Sequence, residues 1–229
     1  MSTFLRQRDL LVPENLHHLD VDLVGAGSLG GAILLCLGKM GFGVRNRITV
    51  TDFDLCEAHN LPTQWFRSAD VSMSRPKVEA LAEMTAWILD CDIETAQERF
   101  TGAEDRRLGP IVIVAVDSLE ERRRIWDQLK QRADVRFLVD ARAGAEVVEI
   151  HAVDLDRDPR DAYESTLQGE PFQEPCTRRS IVYTVLAAAS IVGSMVRSWV
   201  QGDEFARSVV LDVRNFWTET SAPAPSRRG

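Results

Sequence analysis

Missing from this chain is any pair of cysteines spaced as C-x-x-C; its four cysteines, Cys36, Cys56, Cys91 and Cys176, are scattered. That spacing excludes a zinc ribbon or a dense disulfide framework, and it reads as a reducing, cytoplasmic setting. Basic residues are in deficit: 27 Lys and Arg stand against 35 Asp and Glu, a formal net charge of −8. Such a balance suits unspecific contact with nucleic-acid backbones poorly, so nucleic acid is not an expected partner. The N-terminal segment MSTFLRQRDLLVPENL lacks an apolar stretch behind its charges, so no secretory signal is expected. Histidines are few, and His17, His18, His59 and His151 show neither a catalytic triad nor metal-ligand spacing. One charge-free run, residues 180–196, includes Ser180, Thr184, Ser190, Gly193 and Ser194. It falls at the short limit for crossing a hydrocarbon layer of roughly 30 Å, and a buried core helix is expected there with no membrane span.

What remains is ordinary globular composition, 45% hydrophobic and 27% charged, enough to build a core within one fold. Residues 19–24 (LDVDLV) read as a strand, followed by helical spacing at Ile33, Leu34, Leu37 and Met40. Residues 44–52 read as a second strand, and residues 75–89 as a helix with Val78, Leu81, Ala82, Thr85 and Ile88 on one face. A weak third strand at 91–96 precedes IVIVAV at 111–116, a continuous apolar run of the kind found where helices cover both faces of a sheet. Asp117 closes that run. A charged helix at 119–131 and a fifth strand at 135–139, ending in Asp140 and Arg142, complete the alternation.

This order predicts a Rossmann-like, doubly wound α/β sheet whose parallel first half is continued by antiparallel strands. The second half is expected as a strand at 146–153, a crossover loop at 154–175, a long helix at 179–200 and a last strand at 208–217. Residues 1–220 are expected to form a single domain, and 221–229 (SAPAPSRRG) a disordered tail.

Gly25, Gly27 and Gly30 form G-x-G-x-x-G between the first strand and the first helix, the context that gives the motif meaning. Glycine lets the backbone approach phosphate oxygens while helix amides face them. Asp52 follows Gly30 by 22 residues, near the offset of a carboxylate that holds ribose hydroxyls. These residues alone define a phosphate-bearing adenosine ligand, which a nicotinamide reductase would bind equally well.

The segments after Asp52 narrow the choice. TDFDLCEAHNLPTQWF at 51–66, RPK at 75–77 and VAVDSLEERR at 114–123 resemble the adenylation domain of the E1-like activating enzymes, the ThiF, MoeB and HesA family. The resemblance runs from Arg6 to the final strand. It implies ATP- and Mg²⁺-dependent adenylation of the C-terminal glycine carboxylate of a small ubiquitin-like or sulfur-carrier protein. By the same resemblance, Asp52 holds the ribose, Asn60 and Gln64 line the nucleotide pocket, Lys77 reaches the phosphates and Asp117 holds Mg²⁺. On residue chemistry alone, Lys77 also reads as a solvated lysine at a helix start and Asp117 as a helix N-cap.

Arg6-Gln7 matches an Arg-Gln pair that the family donates across a dimer interface, which implies a homodimer or heterodimer. Cys176, in PCTRRSIVY, stands where the ThiF type carries a cysteine that reacts with the activated carboxyl. Arg178, Arg179 and a helix N-terminus would lower its thiol pKa, whereas a buried, inert cysteine is the plain alternative.

Two departures from the family pattern matter. The chain has neither the zinc-binding cysteine pairs of many members nor a separate cysteine domain. Its VDARAGAEVVEIHAVD, YESTL and PCTRRSIVYTVLAAASIVG segments most resemble short ThiF-type proteins of bacterial accessory and defence operons. The second departure is Thr63, which replaces the family's phosphate-binding arginine in N-L-P-T-Q. Either Arg67 or Arg75 is placed to supply the lost charge, or the chain is a weak or inactive pseudo-E1 acting as a scaffold or dimer partner.

Overall fold

The computed structural model describes residues 4–89, 91, 93–168 and 181–224. Two short 3-10 turns, Leu5–Gln7 and Pro13–Leu16, lead into strand β1 (Val21–Val24), whose side chains are all buried. Helix α1 (Ser28–Met40) stops at Gly41, whose φ of 105° lies in the left-handed region that ends helices without a Cβ clash. Then come β2 (Ile48–Thr51), the short helix α2 (Ser68–Ser72), α3 (Lys77–Leu89), β3 (Glu94–Ala96) and β4 (Ile111–Val114). The chain continues through α4 (Leu119–Leu129), β5 (Phe137–Gly144), β6 (Val147–Asp154), α5 (Arg160–Thr166) and α6 (Val182–Gln201). Short strands β7 (Phe205–Ala206), β8 (Ser208–Asp212), β9 (Trp217–Thr220) and β10 (Pro223–Ala224) follow.

Eight strands form one sheet in the order β3-β2-β1-β4-β5-β6-β8-β9. From β3 to β5 every pairing is parallel, and from β5 to β9 every pairing is antiparallel. The fold is Rossmann-like, as the alternation of elements predicts. Because the strand order changes direction at β1, the loops after β1 and β4 part there and leave a crevice beyond their carboxyl ends.

Alternate residues of each strand supply two cores. On one face Leu23, Ile113, Val139 and Ile150 pack under α1 and α6. On the other, Val112, Val114 and Leu138 pack under Ile125, Trp126 and Leu129 of α4. The charge-free run becomes α6, long and apolar enough to cross a membrane by length and composition, yet 56% of its apolar window is buried within the protein. Its ring-bearing end adds Trp199, which stacks on Phe137 with ring centroids 4.9 Å apart. Gly193 lets α6 meet α1 closely, since a Cβ there would lie 2.7 Å from Cys36 Sγ.

Three expectations are corrected. The strand expected at 208–217 is a hairpin: the Asp212 carboxylate accepts the Asn215 backbone N–H at 2.9 Å and its side-chain amide at 2.8 Å, folding β9 back on β8. The crossover expected as loop at 154–175 contains α5, which buries Tyr163 edge-on against Trp126 at 4.8 Å. The second strand is shorter than residues 44–52 because Asn46 holds a turn, accepting from Gly43 N at 2.9 Å and donating to Leu19 O at 2.6 Å. Within the segment 221–229, β10 pairs antiparallel with β7, and residues 225–229 lie outside the described residues.

Candidate nucleotide site

The glycine loop is built by close backbone approaches. A Cβ on Gly30 would lie 1.9 Å from Gly25 O, and one on Gly25 would lie 2.7 Å from Ala115 O. Gly25 also has φ of 104°, so any side chain there is both strained and crowded. Gly27 is different: a Cβ would meet nothing within 4 Å, so the loop opens outward at that point. Gly27 is the N-cap of α1, and no side chain caps this terminus. The first-turn amides of a 13-residue helix therefore face the crevice with their partial positive charge, the arrangement that receives a phosphate.

Asp52 closes the loop from β2. Its Oδ2 accepts the Ala26 N–H at 2.7 Å and its Oδ1 accepts the Asp54 N–H at 2.8 Å. Burial pushes the Asp52 carboxyl above its ordinary pKa, opposed by these two amides and by Lys77. Lys77, the first residue of α3, is buried, and its Nζ donates to Asp54 Oδ2 at 2.7 Å. Its backbone N–H donates to Asp54 O at 3.0 Å, so Lys77 is built into the D-x-D turn and is not a solvated lysine.

The loop between β2 and α2 answers the question raised by Thr63. Asn60 is buried, and its Oδ1 accepts the Glu57 N–H at 3.1 Å, while its carbonyl accepts the N–H groups of Thr63 at 3.2 Å and Gln64 at 2.9 Å. Asn60 thus shapes the loop itself. Gln64 Oε1 is buried with no hydrogen-bond partner among the described residues, a state that suits a donor from outside the chain. Arg67 pairs with Glu83 at 2.5 Å and Asp70 at 3.4 Å. Arg75 pairs with Asp70 at 3.2 Å, Glu79 at 3.7 Å and Glu83. Both arginines offered as replacements for the family's arginine are held by their own carboxylates.

Asp117 is exposed just past β4, and the N-cap of α4 is Ser118, whose Oγ accepts the Glu121 N–H at 3.3 Å. Capping does not account for Asp117. Among the described residues no group of three or more His, Cys, Asp and Glu side chains is arranged to hold a metal. One carboxylate fits Mg²⁺ in the mode where substrate phosphates and water supply the remaining ligands.

Below Asp117 lies a charged cluster that sequence reading missed as a unit. Asp140 is fully buried; its Oδ2 accepts from Arg142 Nη2 at 2.8 Å and Tyr163 OH at 3.0 Å, and its Oδ1 pairs with Arg122. Arg122 also donates to the carbonyls of Val116 and Ala141. Burial lowers the Arg122 pKa to about 10 and raises that of Tyr163 to about 12. Arg142 reaches Glu149 at 3.1 Å, which accepts from His151 at 2.5 Å. The cluster fixes α4 to the carboxyl ends of β4 and β5. Its signal in the sequence was Arg122 sharing helical spacing with Ile125, Trp126 and Leu129, hidden by its neighbours Arg123 and Arg124.

The remaining candidates fall elsewhere. Arg6 is exposed, and the adjacent Gln7 Nε2 donates to Met40 O at 2.6 Å, at the far end of α1 from the glycine loop. At about 1.5 Å per residue α1 is roughly 20 Å long, so Arg6 does not meet the crevice of its own chain. Cys176 lies outside the described residues. Cys56, in the D-x-D loop, is buried, and burial with Asp70 nearby pushes its thiol up to about 11, away from a nucleophilic thiolate.

A doubly wound sheet with a glycine loop, a carboxylate after β2 and an acid after β4 places the protein in the Rossmann-like class of α/β folds. The chain belongs to the ThiF family, whose model matches residues 6–200. Membership groups it with E1-like adenylyltransferases of carboxylates. Among solved structures it is similar to PaaA, with a TM-score of 0.72 and 18% identity over 93% of this chain and 67% of that one. It is also similar to Escherichia coli MccB, in a complex with AMPCPP and MccA (TM-score 0.65, 13% identity, 96% of this chain and 68% of that one). The ATP complex of MccB matches with a TM-score of 0.64, 13% identity and the same coverage. No curated protein sequence matches the chain.

Proposed function

We propose that the crevice binds ATP and that the chain adenylates the C-terminal carboxylate of a small protein or peptide. A carboxylate oxygen attacks the α-phosphorus; a C(O)O–P bond forms, the bond to the bridging oxygen of the β-phosphate breaks, and pyrophosphate leaves. The observation that carries this reading is the uncapped N-terminus of α1 opening at Gly27 beside the Asp52–Asp54–Lys77 turn. Helix amides and one buried ammonium there suit the charge of a triphosphate. Asp117 would hold Mg²⁺, which supplies neutralisation of phosphate charge. The helix amides and Lys77 place fixed positive charge where negative charge grows during attack.

MccB has been solved with ATP and with the peptide MccA, which supports a polypeptide carboxylate as the substrate class. A ubiquitin-like or sulfur-carrier protein ending in glycine is the proposed form of it. Arg6 lies away from the crevice of its own chain, so the role that the family's Arg-Gln pair implies would be played on a neighbouring chain of a homodimer or heterodimer.

A second reading is favoured by one observation: Thr63 carries no charge, and Arg67 and Arg75 are both tied to Asp70 and Glu83. In that reading the chain is a pseudo-E1 that binds its partners without turnover. ATP–pyrophosphate exchange with Mg²⁺ and a glycine-ended carrier separates the two. Exchange that Asp117→Ala abolishes supports the enzyme, and its absence in the purified protein supports the scaffold. Thr63→Arg is expected to raise exchange.

A further inference from the structure

Asp117 stands on backbone that is held from both sides, although its own carboxylate makes no hydrogen bond or ion pair among the described residues. On one side the Ala115 N–H donates to Val24 O at 2.8 Å, and the Val116 carbonyl accepts from the Arg122 guanidinium. On the other, the Ser118 carbonyl accepts the Arg122 backbone N–H at 3.1 Å. Arg122 thus grips both neighbours of Asp117. The exposed carboxylate points where this backbone directs it.

Arg122 is aimed in turn by a carboxylate out of reach of solvent. Asp140 is fully buried on β5, its Cα paired with that of Val114 at the end of β4. Its Oδ1 pairs with Arg122, whose Nη2 also reaches Ala141 O at 3.1 Å. Its Oδ2 accepts from Tyr163 OH at 3.0 Å and from Arg142 Nε at 2.9 Å. A chain of hydrogen bonds therefore runs from Tyr163 through Asp140 and Arg122 to the peptide before Asp117. Tyr163 belongs to α5, which docks on α4 by separate contacts. Glu164 accepts from Trp126 Nε1 at 3.1 Å and from Lys130 Nζ at 3.0 Å, and Leu167 O accepts from Arg123. The Tyr163 hydroxyl is not needed to attach the helix.

Two guanidiniums and a carboxylate are a costly way to join a helix to a sheet, since apolar side chains of similar volume hold such a contact at least as well. What apolar packing lacks is direction. A guanidinium aimed by a buried carboxylate fixes the plane of the peptide it bonds, and hydrogen bonds one residue removed from a metal ligand orient that ligand. The Asp117 charge is felt at Arg122, where it opposes the fall in pKa that burial causes. We propose that Asp140 and Tyr163 are positioning residues for Asp117: Tyr163 and Arg142 lock Asp140, Asp140 aims Arg122, and Arg122 sets the peptide from which Asp117 projects. This inference rests on the reading of Asp117 as the Mg²⁺ residue of a nucleotide site.

The experiment measures ATP affinity calorimetrically in the full chain, with Mg²⁺ and again with EDTA, and takes the ratio as the contribution of the metal. Tyr163→Phe keeps the ring against Trp126 and removes only the hydroxyl. Arg142→Lys keeps the charge and removes the planar fork. Each is expected to lower the ratio about threefold to tenfold, with metal-free affinity unchanged within about twofold. Amide hydrogen exchange across residues 115–118 of the ligand-free protein is expected to quicken by a similar factor. Glu164→Ala loosens α5 without touching Asp140, and is expected to lower the melting temperature while leaving the ratio and the exchange as in the wild type. A ratio unchanged in both Tyr163→Phe and Arg142→Lys, or lowered equally by Glu164→Ala, overturns the inference while the nucleotide reading stands. A wild-type ratio near one, or one that Asp117→Ala leaves intact, overturns the assignment of Asp117 and this inference with it. Wild-type protein that binds no ATP overturns the nucleotide reading itself.

Discussion

Lys77 Nζ sits 2.7 Å from Asp54 Oδ2, so the ammonium at the start of α3 is held by a carboxylate two residues beyond Asp52. The pair is asymmetric: the lysine side chain is 10% exposed and the aspartate 47% exposed. Asp54 thus orients the ammonium from the solvent side. Lys77→Met is expected to lower ATP–pyrophosphate exchange on the order of a hundredfold, with a stability change within about 1 kcal/mol. Steady-state exchange and a thermal melt check both.

Asp117 and Ser118 are adjacent but have different work, and substitution separates them. Ser118→Ala removes the oxygen that accepts from Glu121 N and is expected to cost about 1 kcal/mol of stability. Asp117→Asn is expected to leave the melting temperature unchanged and to abolish exchange at Mg²⁺ concentrations that saturate the wild type. A melting curve and a Mg²⁺ titration on each variant decide the assignment.

Arg122 and Asp140 form a buried ion pair with almost no exposed surface. Removing one partner leaves the other charged in a poorly solvated place, so Arg122→Met is expected to destabilise by about 3–5 kcal/mol. Denaturant unfolding is the measurement. Asp140→Asn relieves less of the cluster than it removes, because Arg122 and Arg142 then face each other, and a similar loss is expected.

Acid should loosen the connection between β3 and β4, whose carbonyls at Gly102, Glu104 and Arg106 accept from Arg132. The Arg132 guanidinium beside Asp134 lowers that carboxyl from 3.8 to about 2. A depressed acid contributes stability that is present above its unfolded pKa and is lost as pH falls through its folded pKa. The loss therefore runs from about pH 4 to pH 2, and after allowance for solvent screening it amounts to about 1–2 kcal/mol. Asp134→Asn should flatten this part of the pH–stability curve, measured by urea unfolding at stepped pH.

The parallel half of the fold was legible because its strands are apolar runs with turn residues at their ends. Gly25, Gly27 and Gly30 took meaning from their place between such a run and a periodic helix. The antiparallel half was harder. Its hairpin depends on one carboxylate, Asp212, reaching Asn215, and α5 depends on Tyr163 finding Trp126 across the fold. Neither contact leaves a periodic trace. At the site, the family resemblance named Lys77 and Asp117 but could not show that Arg67 and Arg75 are occupied by Asp70 and Glu83, because those pairings depend on how the loop before α3 folds onto α3.

At the junction of β5 and β6 the sheet changes from parallel to antiparallel, and this has an evolutionary consequence. Strand ends from the first half and hairpin tips from the second emerge along one rim. Lengthening or recolouring a tip such as the turn at 213–216 alters what approaches that rim without moving the glycine loop. A change in length at one tip is thereby separated, within a single sheet, from the backbone approaches that build the glycine loop.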